Sequence, residues 1–338
     1  MIIANAAPGQ MPCHTFGGMY RDSEDVRIGR LVANLCGQTH GVVTVDQEFF
    51  PKYLELAQRC VYLTDGTMDV TGAVGLYVNR KARQFGEVRM TGNYGSEILR
   101  EHLAFKAGRL SREVFTDQIT PYLDQAAQTF HQEKNECRRL SFIAFKQVPW
   151  HHYARFAEEQ SQLTIRSPYL DNELVQLAFR APAGQLVNKQ LSYRYTTDMQ
   201  PALTGAPTDR GRLRLPRFIP KKLIEVSMEL GPRLEYYFDY GMPHWLAKTD
   251  RALAPLRLER HFLGQQKYYH FRTWYRHAMA GQIREVLLDP RTLNRSYLDR
   301  RQVQRIVDSH TSGTGNYTSL IHKLMTCEFI HRQLLEVS

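Results

Sequence analysis

A chain of 338 residues, 43% hydrophobic and 23% charged, is long enough for one large core or two smaller ones. Its formal net charge of +10 permits nucleic-acid or acidic partners, yet the arginines are scattered through helical patterns without the aromatic-interleaved basic motif of an RNA-binding surface. No apolar run reaches membrane-spanning length and the first residues read as neither a signal peptide nor a basic leader, so a cytoplasmic protein without nucleic-acid or membrane partners is expected.

Met1 to Ala7 reads as the tail of a helix stopped at Pro8-Gly9; with no cap before it, the structural domain is expected to begin upstream. Met11 to Phe16 predicts a strand that runs into Gly17-Gly18. Asp22-Ser23-Glu24-Asp25 carries helix-start chemistry, with Asp22 and Asp25 as the simplest caps, and Gly37 ends that helix. His40 to Val45 is a β-branched run and predicts a second strand. Gln47 to Tyr62 and Met68 to Phe85 predict two helices on either side of Thr64-Asp65-Gly66, the second rich in small residues. Val88 to Thr91 predicts a third strand. Gly92-Asn93-Tyr94-Gly95 breaks it, and a helix opens at Ser96-Glu97 and runs to Ala107 before Gly108.

Residues 11–107 therefore read β-α-β-α-α-β-α, the pattern of a parallel sheet covered by helices. Ligands of such sheets sit beyond the C-terminal strand ends, where Phe16-Gly17-Gly18, the loop after Val45 and Thr91 to Glu97 converge. A strand, a glycine turn and a helix start also expose unpaired N–H groups suited to an anion. After Ser111 the chain turns helical: long patterns over 121–162, then Asn172 to Phe179, Gln190 to Leu203, and about 221–234, 252–260, 267–287, 299–310 and 317–336. Arg166 to Asp171 is an extended piece leading into a helix, and Thr204 to Pro220 a loop. The division expected is a truncated nucleotide-binding α/β part over 1–110 and a mostly helical part over 111–338. Five cysteines, widely spaced and without a C-x-x-C pair, support neither a zinc site nor a disulfide framework.

Two stretches carry a family resemblance. Thr91-Gly92-Asn93-Tyr94-Gly95-Ser96-Glu97 resembles the S-G-[DE]-G-x-D-E loop of the asparagine synthetase domain and its β-lactam synthetase and lasso-peptide cyclase relatives. Arg166-Ser167-Pro168-Tyr169-Leu170-Asp171-Asn172-Glu173-Leu174-Val175 meets every fixed position of that family's R-x-P-[FY]-L-D-x-x-[LF]-V signature. Phe16-Gly17 with Asp22 to Asp25, Gly37 with His40, and Ser319 to Leu335 are similar to its second strand and helix start, its G-x-x-H step and its closing helix. The resemblance implies an adenine nucleotide α-hydrolase-like parallel sheet, its first strand missing, with a large helical C-terminal part. It implies ATP and Mg²⁺ as cofactors, adenylation of a small-molecule or peptide carboxylate, and displacement of AMP by an amine or by ammonia from solution or a separate glutaminase domain. By the same resemblance Phe16, Gly17, Thr91, Gly92 and Asn93 would meet the nucleotide, Glu97 the metal, Arg210 the charge at phosphorus, and Asp65 and Arg166 the substrate.

The chain departs from that pattern at several points. The family's S-G-G-x-D-S pyrophosphate loop does not occur in it. Asn93 and Ser96 stand where the family carries carboxylates, leaving Glu97, and Arg210 stands where it carries a lysine. Two further readings follow: a non-catalytic scaffold that has lost metal and pyrophosphate binding, and a nucleotide-binding module with other chemistry. Glu97 is either a Mg²⁺ ligand or a helix-start carboxylate, Arg166 either a structural partner or a substrate contact, and Asp171 a helix N-cap. His151 and His152, adjacent on a helix, point about 100° apart and read as packing or surface rather than a metal pair.

Overall fold

The structure, a computed structural model, describes residues 2–103, 114–182, 190–208, 211–212 and 231–336. It is mostly helical and carries two short pairs of parallel strands. α1 (Ile2–Ala6) leads into β1 (Cys13–Gly17), α2 (Glu24–Leu35) and β2 (His40–Thr44). β1 and β2 run parallel from Cys13 opposite His40 to Gly17 opposite Thr44, the crossover being α2. The cap of α2 is Ser23, not Asp22 or Asp25: its Oγ accepts the Val26 N–H at 3.4 Å, while Asp22 pairs with Arg30 at 2.9 Å.

α3 (Phe49–Leu63) and α4 (Gly72–Ala82) follow, then β3 (Val88–Met90) and α5 (Gly95–Arg100). Among the described residues β3 does not join β1 and β2. Its partner is β4 (Thr164–Arg166), parallel, with Val88 opposite Thr164 and Met90 opposite Arg166. α5 starts at Gly95 and closes at Glu101, whose left-handed φ of 48° ends the helical path before the expected stop. Gly108 lies outside the described residues.

The long pattern over 121–162 resolves into α6 (Thr120–Glu136), α7 (Arg139–Phe142), a π-helical stretch Ile143–His152 and α8 (Tyr153–Gln160). Pro149 sits inside the π stretch; it has no N–H to give and its ring needs the wider turn. α9 (Asn172–Arg180) and α10 (Gln190–Met199) come next, and Pro207–Thr208 pairs antiparallel with Gly211–Arg212. The helix expected over 267–287 is two, Phe271–Arg276 and Ala280–Leu287, parted where His277 leaves helical geometry (φ −119°, ψ −92°). The one expected near 252–260 lies earlier, at His244–Ala252, and stops before Pro255.

One core joins the first eighty residues to the last seventy. Phe49, Tyr53, Leu56, Ala57 and Cys60 on α3 and Val74 and Val78 on α4 pack with Phe271, Trp274, Tyr275, Ile321, Met325 and Phe329. Each fully buried aromatic or aliphatic side chain contributes about 1.5–3 kcal/mol. Tyr53 and Tyr275 are wholly buried and share a hydroxyl–hydroxyl hydrogen bond of 2.6 Å, and burial drives both phenols up from their ordinary pKa. No helix among the described residues is long and apolar enough to cross a membrane.

The C-terminal helix Thr318–Ile330 is pinned by Glu328, 1% exposed, which accepts Arg295 Nε and Nη2 at 3.0 Å each and Arg332 Nε at 2.6 Å. Burial alone would raise this carboxyl; the two guanidiniums outweigh it and hold it low. Removing Arg295 leaves this buried carboxylate with Arg332 alone. Arg295→Ala is expected to lose about 1.5–3 kcal/mol of unfolding free energy in urea, the worth of its charge-assisted bonds, and adding Glu328→Gln to return part of it.

Three histidines are held neutral by burial: His14 is pushed down to about 4 and His310 to about 3, with neighbouring arginines adding to the effect, and His322 is lowered too. The unfolded chain takes up these protons near the ordinary value of 6.5, the folded chain well below it. Stability present above that value is therefore lost as pH falls through the window beneath it. Urea titrations should show unfolding free energy dropping from pH 6.5 toward 4; a flat profile would contradict the neutral burial of these rings.

Candidate active site

The two stretches that carry the resemblance meet in space. β3 and β4 are paired, and the chain leaves both at the same end. There the Thr91 N–H donates to the Arg166 carbonyl at 2.9 Å. Ser167 Oγ donates to the Asn93 carbonyl at 2.7 Å, joining residues 74 positions apart. Tyr94, Ile98, Leu140 and Ala178 form a small core beneath, with Tyr169, Leu170, Val175 and Phe156 packed on it. Asp171 caps α9 as expected, accepting the Glu173 and Leu174 N–H groups at 2.9 and 3.2 Å.

The turn's left-handed residue is not a glycine. Tyr94 has φ 74°, a strained position for a side-chain-bearing residue. Its ring offsets the cost: it stacks on Phe156 at 4.9 Å, tilts against His152, and its hydroxyl donates to the His152 carbonyl at 3.2 Å. The two glycines differ in their reasons. A Cβ at Gly95 would stand 2.8 Å from the Tyr169 ring, whereas one at Gly92 would meet nothing within 4 Å. Gly95 is thus demanded by packing, and Gly92 faces open space.

Glu97 is 9% exposed and lies 3.4 Å from His152 Nε2, itself 6% exposed. Burial pulls its carboxyl upward, but the bond to His152, a backbone N–H and the charges of His152 and His102 together outweigh it and leave the carboxyl below the ordinary range. Ser96 Oγ is occupied by Arg100, one turn on. The residues at the family's metal positions are therefore Asn93, a serine bonded to a guanidinium and a glutamate bonded to an imidazole. Mg²⁺ wants several free oxygen ligands, and this donor set does not fit it. Among the described residues no group of three or more His, Cys, Asp or Glu side chains is placed to hold a metal ion. His152, read from the sequence as packing or surface, is the partner of Glu97.

The other expected residues divide. Phe16 is the last residue but one of β1, with its ring 5.7 Å from Tyr268 and under the guanidinium of Arg89 on β3 at 5.0 Å. Gly17 and Gly18 are closely packed: a Cβ would stand 2.7 Å from Val42 Cγ1 at the first and 2.7 Å from the Tyr268 carbonyl at the second. Arg166 is exposed and bonds its own neighbour's carbonyl, Ile165, at 3.2 Å, with no carboxylate partner among the described residues. Asp65 stands apart, exposed on the α3–α4 turn with φ 49°, beside Gly66, which packs on Ile330. Arg210 lies outside the described residues.

The loop after β2 brings a group that the sequence did not single out. Asp46 accepts Tyr77 Oη and Lys81 Nζ, each at 2.6 Å, and these two bonds outweigh burial to hold its carboxyl low. Its place one residue past the Val45 end of a predicted strand was the available signal. No family model matches the chain, and no curated protein matches it.

The glycine contrast can be measured. Gly95→Ala should cost about 1–3 kcal/mol in urea unfolding as the Tyr169 ring is displaced, and Gly92→Ala should stay within about 0.5 kcal/mol of the parent.

Proposed function

We propose that this chain is an ATP-dependent amide-forming ligase of the asparagine synthetase type, with an adenine nucleotide α-hydrolase-like arrangement of strands. One observation carries the reading. The Thr91 to Glu97 loop and the Arg166 to Val175 stretch, far apart in sequence, are bonded to each other at the C-terminal ends of paired parallel strands. That is where an α/β protein holds its ligand. In this reading Gly92, with open space over it, lets a nucleotide approach the backbone. Arg166, exposed and without a carboxylate partner among the described residues, recognises the substrate carboxylate in fork geometry. Glu97 orients His152, whose other ring nitrogen, Nδ1, is buried without a partner. Ammonia, or an amine delivered by a separate glutaminase, would attack the activated acyl group. The donor set gives no place to Mg²⁺, so no step is assigned to it.

A second reading is favoured by that same donor set. With Ser96 tied to Arg100 and Glu97 to His152, the loop has internal partners for the groups that would otherwise face a ligand. A scaffold that has left nucleotide chemistry would look this way.

Two measurements separate the readings. Calorimetric titration with ATP, once with Mg²⁺ and once with EDTA, should give weak binding that the metal does not strengthen; micromolar, metal-dependent affinity would sink the assignment of the loop as metal-free. Incubation with ATP, ammonium and a panel of carboxylates should release pyrophosphate with at least one acid, and Arg166→Ala should raise KM for that acid about tenfold, the worth of one charge-assisted bond. Neither binding nor release would leave the scaffold.

A further inference from the structure

α8 carries two acidic side chains into the interior, Glu158 and Glu159. Glu158 is 3% exposed, and its Oε1 is buried without a hydrogen-bond partner. Its carboxylate lies against the α4 backbone at Gly75, where any Cβ would overlap both oxygens. The charged and titratable groups facing it come from each element packed around it: Glu159 and Arg155 on α8, Asn79 on α4, Arg89 on β3, Cys60 on α3, and Tyr268. Of the two cations, Arg155 is turned to Glu159 at 3.4 Å. Arg89 gives Nη1 to Asn79 Oδ1, which leaves the Asn79 amide nitrogen to face Glu158, and its guanidinium lies 5.0 Å over the Phe16 ring. A single line of contacts thus runs Glu158, Asn79, Arg89, Phe16. His14, beside Phe16 on β1, is kept neutral by burial and by Arg89 and adds no charge above pH 6.

We propose that Glu158 is an interior proton site that sets the position of Arg89, holding it over Phe16 while the carboxyl is protonated and drawing it inward, off the ring, when the proton leaves. An ion pair in a low-dielectric interior outweighs a cation–ring contact. A buried carboxylate cannot stay uncompensated, and Arg89 is the cation whose present partners, an amide and a ring, are neutral. Burial first, and Glu159 second, push the Glu158 carboxyl up to about 8, so the exchange falls in the range where proteins work. Its effect on stability has the opposite sign to that of the histidines. The folded chain holds this proton more tightly than the unfolded one, so its contribution is full below the ordinary 4.5 and is lost as pH rises toward about 8. Phe16 is last but one on β1 at the candidate ligand site, and the coupling stands whatever that site binds.

The test is nuclear magnetic resonance on the full chain from pH 6 to 9.5, following the Arg89 Nε–H signal (assigned with Arg89→Lys) and the Phe16 ring. Both should move together with one midpoint close to 8 in the parent and stay flat in Glu158→Gln. A flat Arg89 signal in the parent, or the same titration in the glutamine variant, would overturn the proposal. If Glu158→Gln does not fold, the Glu158 carboxyl carbon of the parent decides: a midpoint below 6 removes the proton site. None of these readings needs ATP, so failure here is separate from failure of the ligase assignment.

Discussion

The hydrogen bond between Tyr53 and Tyr275, sealed at zero exposure between α3 and the helix Phe271–Arg276, marks the contact on which the fold rests. A two-stranded sheet is marginal by itself, and the parallel strands among the described residues form two of them, one of five-residue strands and one of three. Each needs helices to take up its apolar face. β1 and β2 pack on α2, and β2 also on α4, which lies against α3; α3 in turn buries Phe49, Tyr53 and Leu56 against aromatic residues more than two hundred positions later. The strand ends that form the candidate site are thus placed by the C-terminal helices, not by the local β-α-β path alone. Burying the two phenols hydroxyl to hydroxyl satisfies both.

The parts legible in the sequence are those fixed by nearby residues. β1, β2 and β3 stood out as short β-branched or aromatic runs bounded by glycine, and Asp171 as an N-cap, because capping and strand propensity are local. Of β4 only Arg166 fell within the extended piece read over Arg166 to Asp171, since three residues carry no periodicity and its partner is some 76 positions away. The π turn around Pro149 hid inside a continuous helical pattern. At the site, the family resemblance singled out Thr91 to Glu97 and Arg166 to Val175, and the structure does bring those stretches together. The fate of Glu97 was not legible: whether it meets a cation or an imidazole depends on His152, delivered by the π stretch whose register no local rule gives. Ser23 displaced the aspartates as cap of α2 for a similar reason, because Arg30, one element along, claims Asp22.

Three buried glutamates show how such partners decide chemistry. Glu328 meets two guanidiniums and is held ionised; its partner Arg332, four residues on, is visible in the sequence. Glu97 meets one imidazole and is held low against the pull of burial. Glu158 meets no cation directly, has Glu159 beside it, and is pushed up. Burial is the same in kind for all three, so the sign of each shift is set by what stands opposite. The same rule bears on the class of ligand the loop can meet. With Glu97 answered internally and Ser96 held by Arg100, the surface from Thr91 to Arg100 and at Arg166 offers the guanidinium groups of Arg100 and Arg166. Those groups donate to oxygen anions, whereas a hard divalent cation needs oxygen anions supplied to it. A ligand for this loop would bring the negative charge itself, and the structure has already used the carboxylate that would have competed with it.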